Sequence, residues 1–162
     1  MKTINDVPLL IRREIEARLA GPLVEAMAEE LGREKALAIL TRTIDRLAGQ
    51  AGRDLAGLMG GDTLEHFAQS LAFWQVGGAL DLEEKKRTEN ELEFDITRCA
   101  YVDMYRRLGL GDLGTAMSCR RDFALLAKFN PELKLERTRT LMEGADRCDF
   151  RITRSSAKPD EK

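Results

Sequence analysis

The hydrophobic period of this chain first changes at Gly77-Gly78, and that change most restricts the folds open to it. Before the glycine pair, apolar residues recur every three or four positions; after it short alternating runs appear, with helical spacing returning between them. Helical spacing lays an apolar stripe along one side of a helix, whereas alternation turns one face of a strand inward. The order is helices, hairpin, helices, hairpin, and nothing alternates as βαβ, so a doubly wound parallel sheet is not expected.

Leu9, Ile11, Ile15 and Leu19 predict a first helix, broken at Gly21-Pro22, and Leu23, Met27 and Leu31 a second, ending at Gly32. Ala36, Leu37, Ile39, Leu40, Ile44 and Leu47 form a third stripe, with Arg42 and Arg46 on its wet side, interrupted by Gly49 and Gly52. Leu55 and Leu58 lead to Gly60-Gly61-Asp62. There Asp62 or Thr63 caps a helix carrying Leu64, Phe67, Leu71 and Trp74. Beyond Gly77-Gly78, Ala79 to Lys86 is short and charged, Glu89-Asn90 reads as a turn, and Leu92, Phe94 and Ile96 alternate with Glu91, Glu93 and Asp95. That is the second half of a hairpin. Tyr101 to Leu108 returns to helix, and Ser118 is the expected N-cap of a helix from Cys119 to Lys128, stopped by Asn130-Pro131. Leu133 with Leu135, then Cys148 with Phe150 and Ile152, supply two more strands. The expected fold is α+β: a helical N-terminal half, then an antiparallel sheet of about four strands with helices over one face. Residues 1–154 are expected to form one such domain and 155–162 a polar tail.

Charge and cysteine usage narrow the function classes. The 26 basic and 28 acidic side chains leave a formal charge of −2, no field for holding a phosphate backbone, so nucleic acid is not an expected partner. No apolar run approaches the ~20 residues that cross a bilayer, and Met1 to Arg13 lacks a signal peptide's pattern. The expected location is the cytoplasm, where three cysteines are thiols and not a disulfide scaffold. Self-association is compatible with the sequence. One histidine, His66, excludes a histidine-rich metal site.

Candidate chemistry lies in the C-terminal half. Strand parity extends the inward face of Leu92, Phe94 and Ile96 to Arg98, and that of Leu133 and Leu135 to Arg137 and Arg139. An inward arginine needs an anion, either an internal partner such as Asp122, Glu143 or Asp146 or a substrate carboxylate that its fork geometry suits. Cys99 follows Arg98 where a strand passes into a helix, and Cys148 shares an apolar face with Phe150 and Ile152. Cys119 falls in the expected first turn of a helix beside Arg120 and Arg121, a setting that lowers a thiol pKa, which makes it the expected nucleophile. For each cysteine the plain alternative is a small buried hydrophobe, and Cys148 fits that best. A zinc site with Asp122 or Asp149 as fourth ligand is disfavoured, because ligand separations of 20 and 29 residues lack the usual short pair. No metal or cofactor is expected. His66 beside Phe67 reads as an exposed or core-edge histidine, and Trp74, Phe73 and Phe67 as core.

Three stretches of this half carry a resemblance. Phe94-Asp95-Ile96-Thr97-Arg98-Cys99-Ala100-Tyr101 with Met104-Tyr105 and Leu108-Gly109-Leu110 is the first. Leu113-Gly114, Ser118-Cys119-Arg120-Arg121-Asp122 and Phe129-Asn130-Pro131 make the second. Arg137-Thr138-Arg139-Thr140-Leu141-Met142-Glu143-Gly144-Ala145, ending in Cys148-Asp149-Phe150-Arg151, is the third. Together they resemble the L-2-amino-thiazoline-4-carboxylic acid hydrolase family. A coarser likeness, helices followed by strands ending in a Cys-x-Phe word, is to vinyl-reductase-type and TRAPP-like ligand-binding domains. The family resemblance implies a hydrolase that opens a small cyclic amidine or amide at a C–N bond, with thiazoline ring opening giving N-carbamoyl-cysteine. It also implies a small carboxylate-bearing substrate. In that light Cys119 is the candidate nucleophile, Asp122 and Glu143 the acid/base candidates, and Arg98, Arg121, Arg137, Arg139 and Tyr101 the substrate-binding candidates, with Cys99 and Cys148 as further thiols. The alternative is a non-catalytic ligand-binding or sensor domain of the vinyl-reductase type. A single spatial expectation follows: Cys119, Arg98 and Arg139 line one pocket.

Overall fold

A computed structural model describes residues 6–155; all of the expected polar tail except Ser155 lies outside them. Two long helices, α1 (Leu9–Leu31) and α2 (Arg33–Met59), form an antiparallel pair, and α3 (Leu64–Trp74) follows. A hairpin of β1 (Leu80–Arg87) and β2 (Glu91–Cys99) leads into α4 (Ala100–Arg107). Next come a four-residue turn of helix, α5 (Gly111–Gly114), a π-helical turn over Thr115–Cys119, and α6 (Arg121–Phe129). The chain closes with β3 (Leu133–Glu136), a 3₁₀ turn at Leu141–Glu143, and β4 (Cys148–Arg154). The four strands form one antiparallel sheet in the order β1-β2-β4-β3. Among the described residues no helix is long and apolar enough to cross a membrane.

The sheet's inward face is written in its alternation. Leu92 lies opposite Ile152, Phe94 opposite Phe150 and Ile96 opposite Cys148, and all six are buried. The Phe94 and Phe150 rings stack with centroids 4.6 Å apart. Leu64, Phe67, Ala68 and Leu71 of α3 with Leu126 and Phe129 of α6 cover this one face. The outer face is a lattice of charge in which Asp95 pairs with Lys85 and Arg147, and Glu93 with Arg151. A second core, of Ala17, Val24, Leu40, Ile44, Tyr105, Leu113 and Met117, joins α1, α2, α4 and the π turn. Leu80 and Cys99 pack against both cores.

Several expected helix breaks do not occur. Pro22 lies inside α1, and Gly49 and Gly52 lie inside an uninterrupted α2. An interior proline removes one backbone hydrogen bond and costs ~3 kcal/mol, which burial of Ala17, Gly21 and Val24 around it offsets. The α2 glycines serve close approach. A Cβ on Gly52 would stand 2.2 Å from the Leu125 carbonyl oxygen, so only bare backbone lets α6 cross α2 at this distance. Thr63 caps α3 as expected, its hydroxyl accepting from the His66 backbone N–H. Ser118 caps nothing; its hydroxyl bonds the Tyr105 hydroxyl at 3.1 Å.

Candidate functional site

The alternation that starts at Leu133 predicts a strand reaching Arg139, but β3 stops at Glu136. The reason is Asp149. Its carboxylate accepts the backbone N–H groups of Thr138 and Arg139 at 2.9 and 2.8 Å and the Thr138 hydroxyl at 2.5 Å, taking donors that would have continued the ladder. Burial works against the charge of Asp149, yet these bonds prevail and hold its carboxyl below its ordinary value. Residues 137–143 thus leave the sheet as a strap. Thr140 caps the 3₁₀ turn that follows, accepting from the Glu143 N–H, while its own hydroxyl donates to the Glu143 carboxylate at 2.7 Å.

Arg137, the first strap residue, turns inward as parity predicts. Its side chain is 5% exposed. Its guanidinium donates to Asp122 at 2.6 Å and to the Cys119 carbonyl at 2.9 Å, with its carbon 5.1 and 4.9 Å from the ring centres of Phe123 and Phe150. Asp122 answers one buried cation with one carboxylate. Its desolvation outweighs the pull of Arg137 and lifts its carboxyl to about 6.

Between the strap and α6 opens a cleft of about 220 Å³. Arg120, Arg137 and Arg139 supply its positive charge, and Thr115, Thr138 and Thr140 its hydroxyls. Phe123 and Glu143 complete it. Arg139 is 46% exposed and its ion pairs with Asp146 and Asp149, at 3.6 and 3.8 Å, are longer than hydrogen bonds, so its donors remain open to an incoming anion. Arg120 is instead engaged with Asp45 of α2 through two nitrogens at 3.0 Å. A shallower hollow continues past Arg120 and Phe123 toward Lys128.

The expected pocket of Cys119, Arg98 and Arg139 is not assembled. Only Arg139 of the three lines the cleft. Arg98 is 48% exposed and held by Asp81 and the Gly78 carbonyl. The cause is a bulge: Leu82 opposes Ile96 while Asp81 opposes Arg98, so Thr97 is the extra residue and parity inverts beyond it. Arg139 also points outward, because the strand that would have turned it inward has ended.

Cys119 does not start a helix. It closes the π turn in a helix running on from Gly111, and the Arg120 N–H already bonds the Thr115 carbonyl. No free helix end acts on the thiol. Burial, with the Asp122 charge added, pushes it up to about 12, the reverse of the lowering expected from sequence. Burial likewise raises Cys99, to about 11, and Cys148, whose sulfur accepts the Leu141 N–H at 3.2 Å. Burial lifts the Tyr101 hydroxyl to about 12, and Tyr101 is not a cleft residue. Arg121 is buried elsewhere, bonded to the Met117 carbonyl and to Glu16 of α1, where it fastens α1 to the π turn. His66 sits at the start of α3, its ring beside Gly61. Among the described residues no group of three or more His, Cys, Asp or Glu is placed to hold a metal ion. Strand parity and the cysteine settings do not point to Thr115, Arg120, Phe123, Thr138 or Thr140 of the cleft; the run Arg137-Thr138-Arg139-Thr140 holds two of them.

The family described as L-2-amino-thiazoline-4-carboxylic acid hydrolase matches residues 12–152, from α1 to β4. The chain belongs to that family. The cleft, the Arg137–Asp122 pair and all three cysteines lie within the matched span. Among curated proteins, none matches the chain significantly. Two solved structures share the fold at low identity. One is a trafficking protein particle complex subunit 3 from Naegleria fowleri covalently bound to palmitic acid, at 11% identity and a TM-score of 0.53, covering 93% of this chain and 99% of that one. The other is the phenol-responsive sensory domain of the transcription activator PoxR with phenol, at 13% identity and a TM-score of 0.54, covering 85% of this chain and 73% of that one. The helices-then-sheet architecture of this family member is therefore one shared with TRAPP and sensory domains.

Proposed function

We propose that the chain is a hydrolase that opens a small cyclic amidine bearing a carboxylate, and that it works in the cleft between α6 and the strap. One observation carries this reading beyond the family name. Arg139 has open donors at the mouth of a small cleft that also holds a carboxylate, Glu143, and two strap hydroxyls. A fork for the substrate carboxylate and a proton carrier beside it are what the chemistry requires.

With a 2-amino-thiazoline carboxylate, water adds to the ring carbon between sulfur and nitrogen. One proton of the water goes to the ring nitrogen and the other to sulfur as the ring opens, and its oxygen becomes the carbonyl of N-carbamoyl-cysteine. Both nitrogens stay on that carbon, so the bond broken on this substrate is carbon–sulfur; a cyclic amide would break at carbon–nitrogen instead. Glu143 takes the proton from water and returns it to sulfur. Arg139 binds the carboxylate, and Thr138 and Thr140 orient the ring. Arg137 presents fixed positive charge, with Asp122 as the residue that positions it. Water is the nucleophile in preference to Cys119, because a thiol raised to about 12 is almost wholly protonated near neutral pH.

The test is thiol release from L-2-amino-thiazoline-4-carboxylate by the purified protein. Turnover is expected, with Cys119→Ser still active, Glu143→Gln losing kcat, and Arg139→Ala raising KM by ~10- to 100-fold, the worth of a charged hydrogen bond. Inactivity of a folded Cys119→Ser variant would reinstate the thiol and overturn the water route. Binding of the thiazoline without turnover would overturn the hydrolase reading in favour of a ligand-binding domain.

A further inference from the structure

Asp149 meets the strap with one oxygen and Arg139 with the other. Its Oδ1 accepts both backbone N–H groups, from Thr138 at 2.9 Å and from Arg139 at 2.8 Å. Its Oδ2 accepts the Thr138 hydroxyl at 2.5 Å and stands 3.8 Å from Nε of Arg139. Within the sheet a carboxylate at this position is unfavourable. Cys148 and Phe150 on either side are buried, so Asp149 faces outward, and across the ladder it lies opposite Asp95. Like charges directly opposite one another destabilise an antiparallel pair. Asp95 has cations of its own in Lys85 and Arg147, and Asp149 turns instead to the strap.

Arg139 is thereby flanked by negative charge without being hydrogen-bonded by it. Asp146 stands 3.6 Å from one of its nitrogens and Asp149 3.8 Å from another, and Glu143 lines the same cleft. At these separations the guanidinium keeps its donors free for one carboxylate while its charge is already offset. A second negative charge on a ligand would meet these carboxylates and no further open guanidinium in the cleft, since Arg120 is engaged by Asp45 and Arg137 by Asp122.

We propose that Asp149 is a positioning residue that sets the ligand class of the cleft. Oδ1 aims Arg139 by fixing the strap, and Oδ2 limits it to a single carboxylate, so the cleft takes small monocarboxylates and rejects dicarboxylates. This role rests on the cleft being where the substrate carboxylate binds, as proposed above, and is independent of ring opening. The thiazoline and its ring-opened product each carry one carboxylate, and a tempered anchor releases the second as readily as it takes the first.

The two oxygens can be separated by substitution. Asp149→Asn keeps Oδ1 for both N–H groups, replaces Oδ2 by an amide nitrogen that can donate to the Thr138 oxygen, and removes the charge beside Arg139. Asp149→Ala removes both oxygens. Calorimetric titration of the full chain with L-thiazolidine-4-carboxylate and with thiazolidine-2,4-dicarboxylate, neither of which has an amidine to hydrolyse, reads both roles. The wild type is expected to prefer the monocarboxylate. Asp149→Asn should bind it about 3-fold more tightly, the scale of an exposed ion pair, and lose much of the preference. Asp149→Ala should bind it on the order of 10-fold more weakly, as the strap loses its hydrogen bonds. Amide exchange at Thr138 and Arg139 should be slow in the wild type and the Asn variant and fast in the Ala variant. Asp95→Asn, one strand away on the same outer face, should leave both affinities unchanged. Weaker binding by both Asp149 variants, or an unchanged preference in Asp149→Asn, overturns the proposal and leaves the hydrolase reading standing. If Asp149→Ala does not fold, the preference of the Asn variant decides alone. A wild type that binds neither ligand overturns the proposal as well, whatever the ring-opening assay shows. The expected binding changes without ring opening of the amino-thiazoline would overturn the hydrolase reading alone.

Discussion

Asp122 stands between a guanidinium that favours its charge and an interior that opposes it, and the interior prevails, leaving the carboxyl at about 6. Its folded value therefore lies above the unfolded 3.8, so the stability it contributes is full below the unfolded value and is lost as pH rises through about 6. Asp122→Asn is expected to flatten the urea-midpoint profile across that window; a profile with its slope intact would place the titration on another group. Asp122→Ala leaves Arg137 buried and unpaired and should cost ~3 kcal/mol. If Arg137 acts in turnover, kcat/KM rises with pH through the same region, and the Asn variant loses that limb. The sequence signalled the inward direction of Arg137 but not those of Arg98 and Arg139. Parity holds only while a strand stays regular, and the Thr97 bulge and the capture of strap donors by Asp149 arise from partners that the alternation of β2 and β3 does not contain.

At the scale of elements, glycine carried the ambiguity. A glycine that ends a helix and one that admits a crossing helix look the same until the crossing helix is known. Gly32 and Gly60, at positive φ, end α1 and α2; Gly49 and Gly52 admit α6. Two substitutions in α2 separate the roles. Gly52→Ala drives a methyl into the Leu125 carbonyl and should destabilise by ~2–3 kcal/mol. Gly57→Ala meets open space in the same helix and should stabilise by ~0.5–1 kcal/mol. Thermal unfolding of the pair checks both signs. The strands, the hairpin turn and the end of α6 before Asn130-Pro131 were legible because each is set by neighbours in sequence.

At the scale of the molecule, two cores meet through Leu80 and Cys99. The single tryptophan, Trp74, packs on the sheet core, whereas most helix lies in α1 and α2. Tryptophan fluorescence and far-UV circular dichroism thus report on different cores, and shared residues predict that their urea transitions coincide. Separate midpoints would mean that the cores unfold independently. The α+β order is readable from the switches between helical and alternating period, but the cleft is not, since its two walls come from α6 and a strap that sequence reads as strand.

The π turn has a consequence for how such chains vary. Leu113 and Met117, before its end, belong to one core; Leu126 and Phe129, after it, belong to the other. An α-helix advances 100° per residue, so the one surplus residue in the turn sets the phase between the two faces. Removing any one of Ala116, Met117 or Ser118 would delete no side chain that lines the cleft, yet it would rotate Phe123 and Asp122 about a quarter-turn away from Arg137. In this stretch length is under tighter constraint than identity: a substitution alters one side chain, whereas a deletion re-aims every residue downstream.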